Sequence, residues 1–157
     1  AILLAEKMGR FAFKNLRIDA TDIDNSNLFE PIISNGIYPE PELQRIPRDL
    51  FEKYFRPADK AGHCEIDYTI RSRIAFQRHD LLRLEPAGKD YTLILCKNVL
   101  LHFTAEQRVD VIRMFHKALT PGGFFATEQT QKLPNEVAHL FTQVTAEVQL
   151  FREVDAA

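Results

Sequence analysis

Ile94-Leu95-Cys96-Lys97-Asn98-Val99-Leu100-Leu101-His102-Phe103 decides the fold of this chain. An apolar run, which reaches back to Tyr91, meets a short polar break. A second apolar run follows, and a helix signal starts at Thr104. This is how a buried parallel strand of an α/β domain delivers polar side chains to a crevice, because ligands of such sheets bind beyond the carboxyl ends of the strands. Lys97, Asn98 and His102 are the polar groups placed at that end.

Elements of the α/β type lie on both sides of it. Leu16–Thr21 reads as a short strand, and Asp24 or Asn25 is placed to cap a helix over Ser26–Ser34 that Asn35-Gly36 ends. Pro31 should bend or shorten that helix. Residues 37–62 are broken by Pro39, Pro41, Pro47 and Pro57, with a short helix over Arg48–Phe55. Glu65–Phe76, alternating at Ile66, Tyr68 and Ile70, predicts a strand or hairpin arm. Ile37–Arg73 is therefore expected to form a small inserted β-subdomain. The α/β alternation resumes with a strand at Ile74–Arg78 and a fully buried one at Tyr91–Cys96. A helix over Thr104–Leu119 opens on a capping box of Thr104 and Gln107, and Val109, Ile112, Phe115 and Leu119 form its apolar face. Pro121-Gly122-Gly123 predicts a tight turn into a strand at Phe124–Thr127. A short helix near Pro134–Phe141 and a strand near Val148–Phe151 close the chain.

The 157 residues suffice for one domain with its own core. A formal net charge of -2 gives no general attraction to nucleic acid or anionic membrane. No apolar run approaches the roughly 18–20 residues that span a bilayer, so direct membrane insertion is not expected. The two cysteines, Cys64 and Cys96, are too few for a disulfide framework, and no Cys/His cluster has metal-ligand spacing, so no metal is expected. A reducing cytoplasm is the compartment this composition suggests. The start, Ala1-Ile2-Leu3-Leu4-Ala5-Glu6-Lys7-Met8-Gly9, reads as the last turns of an amphipathic helix stopped by Gly9, which predicts a segment upstream.

Each polar feature has a sharp reading and a bland one. Asp22 follows a strand, where a carboxylate accepts hydrogen bonds from both hydroxyls of a ribose; it would otherwise be a helix cap, and Asp24 competes for both roles. Asp80 follows another strand and suits an exocyclic amine, or is a surface turn carboxylate. Asn98 both donates and accepts, which suits the amino-acid end of a ligand, or simply turns the chain. His102 invites a general base or is a loop histidine, and Lys97 is otherwise a solvated charge. Arg71, Arg73, Arg78, His79 and Arg83 form a basic segment that suits an acidic peptide or a solvated strand face.

In order along the chain, Ala20-Thr21-Asp22-Ile23-Asp24, Gly36-Ile37-Tyr38, Tyr54-Phe55, Phe76 with Asp80-Leu81-Leu82, Cys96-Lys97-Asn98-Val99-Leu100-Leu101-His102-Phe103, and Leu119 with Pro121-Gly122-Gly123 form one pattern. Taken together it resembles the chemotaxis receptor methyltransferases, the CheR family of S-adenosylmethionine-dependent enzymes, over nearly the whole of residues 1–157. The resemblance implies a doubly wound, Rossmann-like methyltransferase sheet, truncated at its N-terminus, with a β-subdomain at about 37–73 that docks chemoreceptor cytoplasmic tails. It implies S-adenosylmethionine as cofactor, held by Asp22 and Ile23 at the ribose, by Asp80 and Leu81 at the adenine, and by Asn98. Lys97, Asn98 and His102 would flank methyl transfer to a protein glutamate.

The chain departs from that pattern at several points. Lys97 stands for the family's Arg, which loses a planar fork, and His102 stands for its Tyr. Glu128-Gln129-Thr130-Gln131 stands where the family has a Ser-Glu pair. The Gly-rich motif for the methionine part of the cofactor and the N-terminal helical domain would both precede Ala1. Other readings are a docking module that keeps the fold but does no chemistry, a methyltransferase for another substrate, and a nicotinamide-dependent oxidoreductase. The last fits Asp22 but lacks a G-x-G-x-x-G.

Overall fold

The structure is a computed structural model that describes residues 1–130 and 132–154. They form two compact units, residues 1–79 and, from Asp80 onward, the rest.

In the first unit, helix α1 (Ile2–Phe13) is interrupted at Gly9, whose φ of 74° and ψ of 160° leave the helical region. The expected stop is therefore a break, with one further turn beyond it. Strand β1 (Ile18–Asp22) pairs in parallel with β5 (Ile74–Arg78). Between them in the chain, α2 (Phe29–Asn35) ends on Gly36 in the left-handed region at φ 67°. A side chain on Gly36 would also meet Arg71 and Ile66 at 2.8 Å, so both backbone and space require glycine there. Pro31 lies in the first turn of α2, where its missing N–H costs no helical bond.

Three short strands, β2 (Ile37–Pro39), β3 (Phe55–Pro57) and β4 (His63–Ile66), form an antiparallel sheet with β4 in the middle. Both edge strands end in proline, which cannot donate to another ladder. Helix α3 (Arg48–Tyr54) leads into β3. Phe13, Leu43, Phe55, Cys64, Ile66 and Ile70 form the core of this unit. One expectation fails here: Glu65–Phe76 is not a continuous strand. It divides into the end of β4, the short helix α4 (Tyr68–Arg71) and the start of β5. Asp67 caps α4 by accepting the Thr69 N–H at 2.8 Å. That local bond competes successfully with the weak alternation of Ile66, Tyr68 and Ile70.

In the second unit, β6 (Tyr91–Leu95) and β7 (Leu119–Ala126) run parallel. Two antiparallel strands, β9 (Leu150–Glu153) and β8 (Phe141–Gln143), extend the sheet in the order β6-β7-β9-β8. Strand β8 has no counterpart in the sequence reading, which placed Phe141 at the end of a helix. That helix, α6, covers only Asn135–Ala138. Helix α5 (Ala105–Ala118) carries the expected capping box, with Thr104 Oγ accepting from Gln107 N at 3.3 Å and Gln107 accepting from Thr104 N at 2.9 Å. The Pro-Gly-Gly turn is a detour inside β7, where Leu119 pairs with Tyr91 and Phe124 with Leu93. A Cβ on Gly123 would lie 2.9 Å from the Thr120 carbonyl and 3.0 Å from that of Tyr91, and backbone cannot give way as a side chain does.

A second correction concerns β6. It is not fully buried: it is an edge strand of its sheet, with Leu93 47% and Leu95 67% exposed. An apolar run of five residues specifies a strand but not how many faces are covered.

Phe125, without exposure, is the centre of this core. Its ring lies 5.6 Å from Phe115, 5.9 Å from Phe141 and 6.2 Å from Phe151. Phe125→Ala should therefore cost about 3–5 kcal/mol, read as a lowered urea midpoint for the transition of this unit.

Candidate functional site

Two clusters of polar groups sit at the carboxyl ends of parallel strands, one in each unit. In the first unit, β1 ends at Asp22 and the chain turns through Ile23, which is half exposed, to Asp24. Asp24 has φ 37° and is 2% exposed. Its Oδ1 accepts the N–H groups of Leu28 at 2.8 Å and Phe29 at 3.1 Å, and its Oδ2 accepts that of Glu30 at 3.1 Å. These are donors at the start of α2 that the helix cannot satisfy itself. The N-cap position itself is Leu28, so neither Asp24 nor Asn25 caps in place, but Asp24 satisfies these donors from four residues upstream. Burial pushes its carboxyl up, but the N–H groups of Phe29, Glu30 and Leu28 and the charge of Arg78 outweigh that and hold it below its ordinary value.

Asp22 is left in a different position. Its Oδ1 accepts the Asp24 N–H at 2.7 Å, and its Oδ2 makes no hydrogen bond among the described residues. Asp24 is occupied by three N–H groups at the start of α2, and Asp22, which is partly buried, by one.

In the second unit, Asp80 accepts the Leu82 N–H at 2.9 Å and caps a 3-10 turn at Leu81–Arg83. Leu81 packs against the Phe125 core. Strand β6 passes into Cys96, which is buried. Burial, with the charge of Glu128 nearby, pushes its thiol up to about 12, so it is an inert apolar group. Lys97 and Asn98 emerge into solvent, and Asn98 sits in the left-handed region at φ 61°. Asparagine enters that region more readily than other residues with a β-carbon. His102 ends a 3-10 turn at Leu100–His102 and is exposed, its N–H donating to the Val99 carbonyl at 3.0 Å.

A further carboxylate joins this end. Glu128, just past β7, accepts the Asn98 N–H at 3.1 Å and the Thr127 hydroxyl at 2.9 Å, both on Oε2. Burial pushes its carboxyl up, but its own N–H, that of Asn98, the Thr127 hydroxyl and the charge of Lys97 together hold it below the ordinary carboxylate range. In the sequence, Glu128 is visible only as an acidic residue two positions past the apolar run Phe124–Ala126. Its partnership with Asn98 needs the parallel pairing. Gln131, the last residue of that stretch, lies outside the described residues.

Residues 1–150 match the family described as CheR methyltransferase, SAM binding domain, and the chain belongs to that family. Its domain is one for S-adenosylmethionine, and both units of this chain mix helices with parallel strand pairs. Chemotaxis protein methyltransferase Cher2 of Pseudomonas putida is 28% identical over 123 residues, which cover 76% of this chain and 44% of that protein. Chemotaxis protein methyltransferase 1 of Pseudomonas aeruginosa is 30% identical over 124 residues, again 76% of this chain and 44% of that protein. The chain therefore spans less than half the length of these relatives. Among solved structures, the N-methyltransferase NodS of Bradyrhizobium japonicum overlays with a TM-score of 0.46 at 14% identity, covering 88% of this chain and 74% of that one. Among the described residues, no helix is long and apolar enough to cross a membrane and no group of His, Cys, Asp and Glu is placed to hold a metal.

Asp24→Asn places an NH2 where a carboxylate oxygen now receives an N–H, and should lower the thermal midpoint at neutral pH. A carboxyl held below its ordinary value of 3.8 stabilises the fold above that pH and ceases to do so as pH falls through its folded value. The gap between wild type and Asp24→Asn should therefore close below pH 3.8, as followed by circular dichroism melts.

Proposed function

We propose that this chain is the cofactor-binding part of a chemotaxis methyltransferase that esterifies a glutamate side chain on a chemoreceptor. The observation that carries the reading is the turn at Asn98. A parallel strand ends in a left-handed asparagine that is exposed beyond the carboxyl edge of its sheet, where ligands of α/β sheets bind. The residues fit S-adenosylmethionine on their own chemistry. Asp22 keeps one carboxylate oxygen for a ribose diol, since the other already holds the Asp24 N–H. Asn98 offers a carboxamide that both donates and accepts. Asp80 and Leu81 supply an acceptor and an apolar contact for the adenine.

When bound, S-adenosylmethionine supplies a methyl group made electrophilic by its sulfonium. Held by Asp22, Asp80, Leu81 and Asn98, it would supply that methyl to an oxygen of the substrate carboxylate, with its sulfur as the leaving group. A glutamate is already ionised at neutral pH, so no general base is required. The protein's task is then alignment, which is worth roughly 7–11 kcal/mol when reacting groups are held at attack distance. His102 at the strand end is a positioning group in this scheme. The three-stranded sheet of β2, β4 and β3, at about 37–73, is the surface for the receptor tail.

Calorimetric titration with S-adenosylmethionine should show binding to this chain, and receptor glutamates should accept methyl groups from it. Absence of both would leave the docking-module reading. Asp22→Ala should weaken cofactor binding by about 10–100-fold, the loss of one or two hydrogen bonds to a charged group, while unchanged affinity would remove Asp22 from the site. His102→Tyr should preserve or raise methyl transfer to carboxylates, and a large loss in rate would instead assign base chemistry to His102.

A further inference from the structure

The geometry points to Glu128 as a positioning residue that fixes Asn98 in its left-handed turn and so aims the Asn98 carboxamide at the cofactor. This rests on the placement of Asn98 beside S-adenosylmethionine proposed above. Three observations carry it. The Asn98 backbone N–H donates to Glu128 Oε2 across 3.1 Å, although the two residues are 30 positions apart. Asn98 sits at φ 61°, a region that asparagine tolerates but does not hold by preference, so a fixed turn there gains from an anchor. The other oxygen of the carboxylate, Oε1, is buried without a hydrogen-bond partner among the described residues. A buried carboxylate oxygen left unpaired costs stability, and a carboxylate serving packing alone would be better replaced by an apolar side chain. What Oε2 does offsets that cost.

The anchor is itself anchored. The Thr127 hydroxyl donates to the same Oε2, and the Thr127 backbone N–H donates to the Gln149 carbonyl at 3.1 Å. Lys97, beside Asn98 in the chain, stabilises the ionised carboxylate through its charge. Glu128 therefore acts on a ligand through Asn98.

The test uses this chain with Glu128→Ala, Glu128→Gln, Asn98→Ala and the Glu128→Ala/Asn98→Ala double variant. Hydrogen exchange read by nuclear magnetic resonance should find the Asn98 N–H protected in wild type and in Glu128→Gln, whose amide oxygen still accepts. It should find exchange at least about tenfold faster in Glu128→Ala, with the β7 and β9 amides unchanged. Calorimetry with S-adenosylmethionine should show Glu128→Ala binding about tenfold more weakly, Glu128→Gln near wild type, and the double variant no worse than Asn98→Ala alone. An unprotected Asn98 N–H in wild type overturns the inference, as do effects of the two alanine variants that multiply. Wild-type protein that protects Asn98 but does not bind S-adenosylmethionine overturns the functional reading and leaves Glu128 as a clamp without a cofactor to aim at, which also ends the inference. A loss of protection throughout β7 in Glu128→Ala would mark Glu128 as merely structural.

Discussion

Parallel pairing of Tyr91–Leu95 with Leu119–Ala126 is the constraint on which the candidate site of the second unit depends. Parallel strands end on the same side, so whatever follows each of them is brought together however far apart it lies in sequence. That is how Asn98 and Glu128 come within a hydrogen bond. Had the two strands run antiparallel, Glu128 would stand at the far end of the sheet. The pair is held in register by Phe125, fully buried among three other phenylalanine rings, and β7 is gripped on its other side by β9. Core packing and site geometry are thus consequences of one strand, whose Phe125 faces inward and whose end delivers Thr127 and Glu128.

The first unit uses the same device with a different division of labour. Strand β1 also pairs in parallel and also ends in a carboxylate, but two acidic residues lie within one turn. The positive φ of Asp24 folds its side chain back onto three N–H groups of α2, and Asp22 in turn receives the Asp24 N–H. A chain with one aspartate here would have to choose between starting its helix and presenting a carboxylate.

Much of this was legible in the sequence because the signals are local. The capping box at Thr104, the glycine after α2 and the apolar strands at Ile74 and Tyr91 announce themselves within a few residues. The misreadings share a cause. Glu65–Phe76 looked like one strand because alternation at three residues is cheap, while the cap at Asp67 that splits it needs only one side chain. Strand β8 was missed because Phe141–Gln143 is too short to carry a period, and it exists only through pairing with β9. The exposure of Leu93 and Leu95 was out of reach since it depends on which neighbours a strand acquires. At the site, Asn98 was readable from its place after an apolar run, whereas the role of Glu128 was not, because a bond between residues 30 apart is a property of the sheet.

At the strand end of the second unit, the backbone turn and its hydrogen bond to Glu128 are what the structure defines. An arginine is irreplaceable by lysine where its planar fork binds two oxygens at once. Lys97 is exposed, and the effect of its charge that the structure shows is on Glu128, where a point charge serves as well as a fork. His102 is likewise exposed in its 3-10 turn, held there by its backbone N–H. Asn98 turns left and gives its backbone N–H to Glu128, and asparagine enters that region more readily than other residues with a β-carbon.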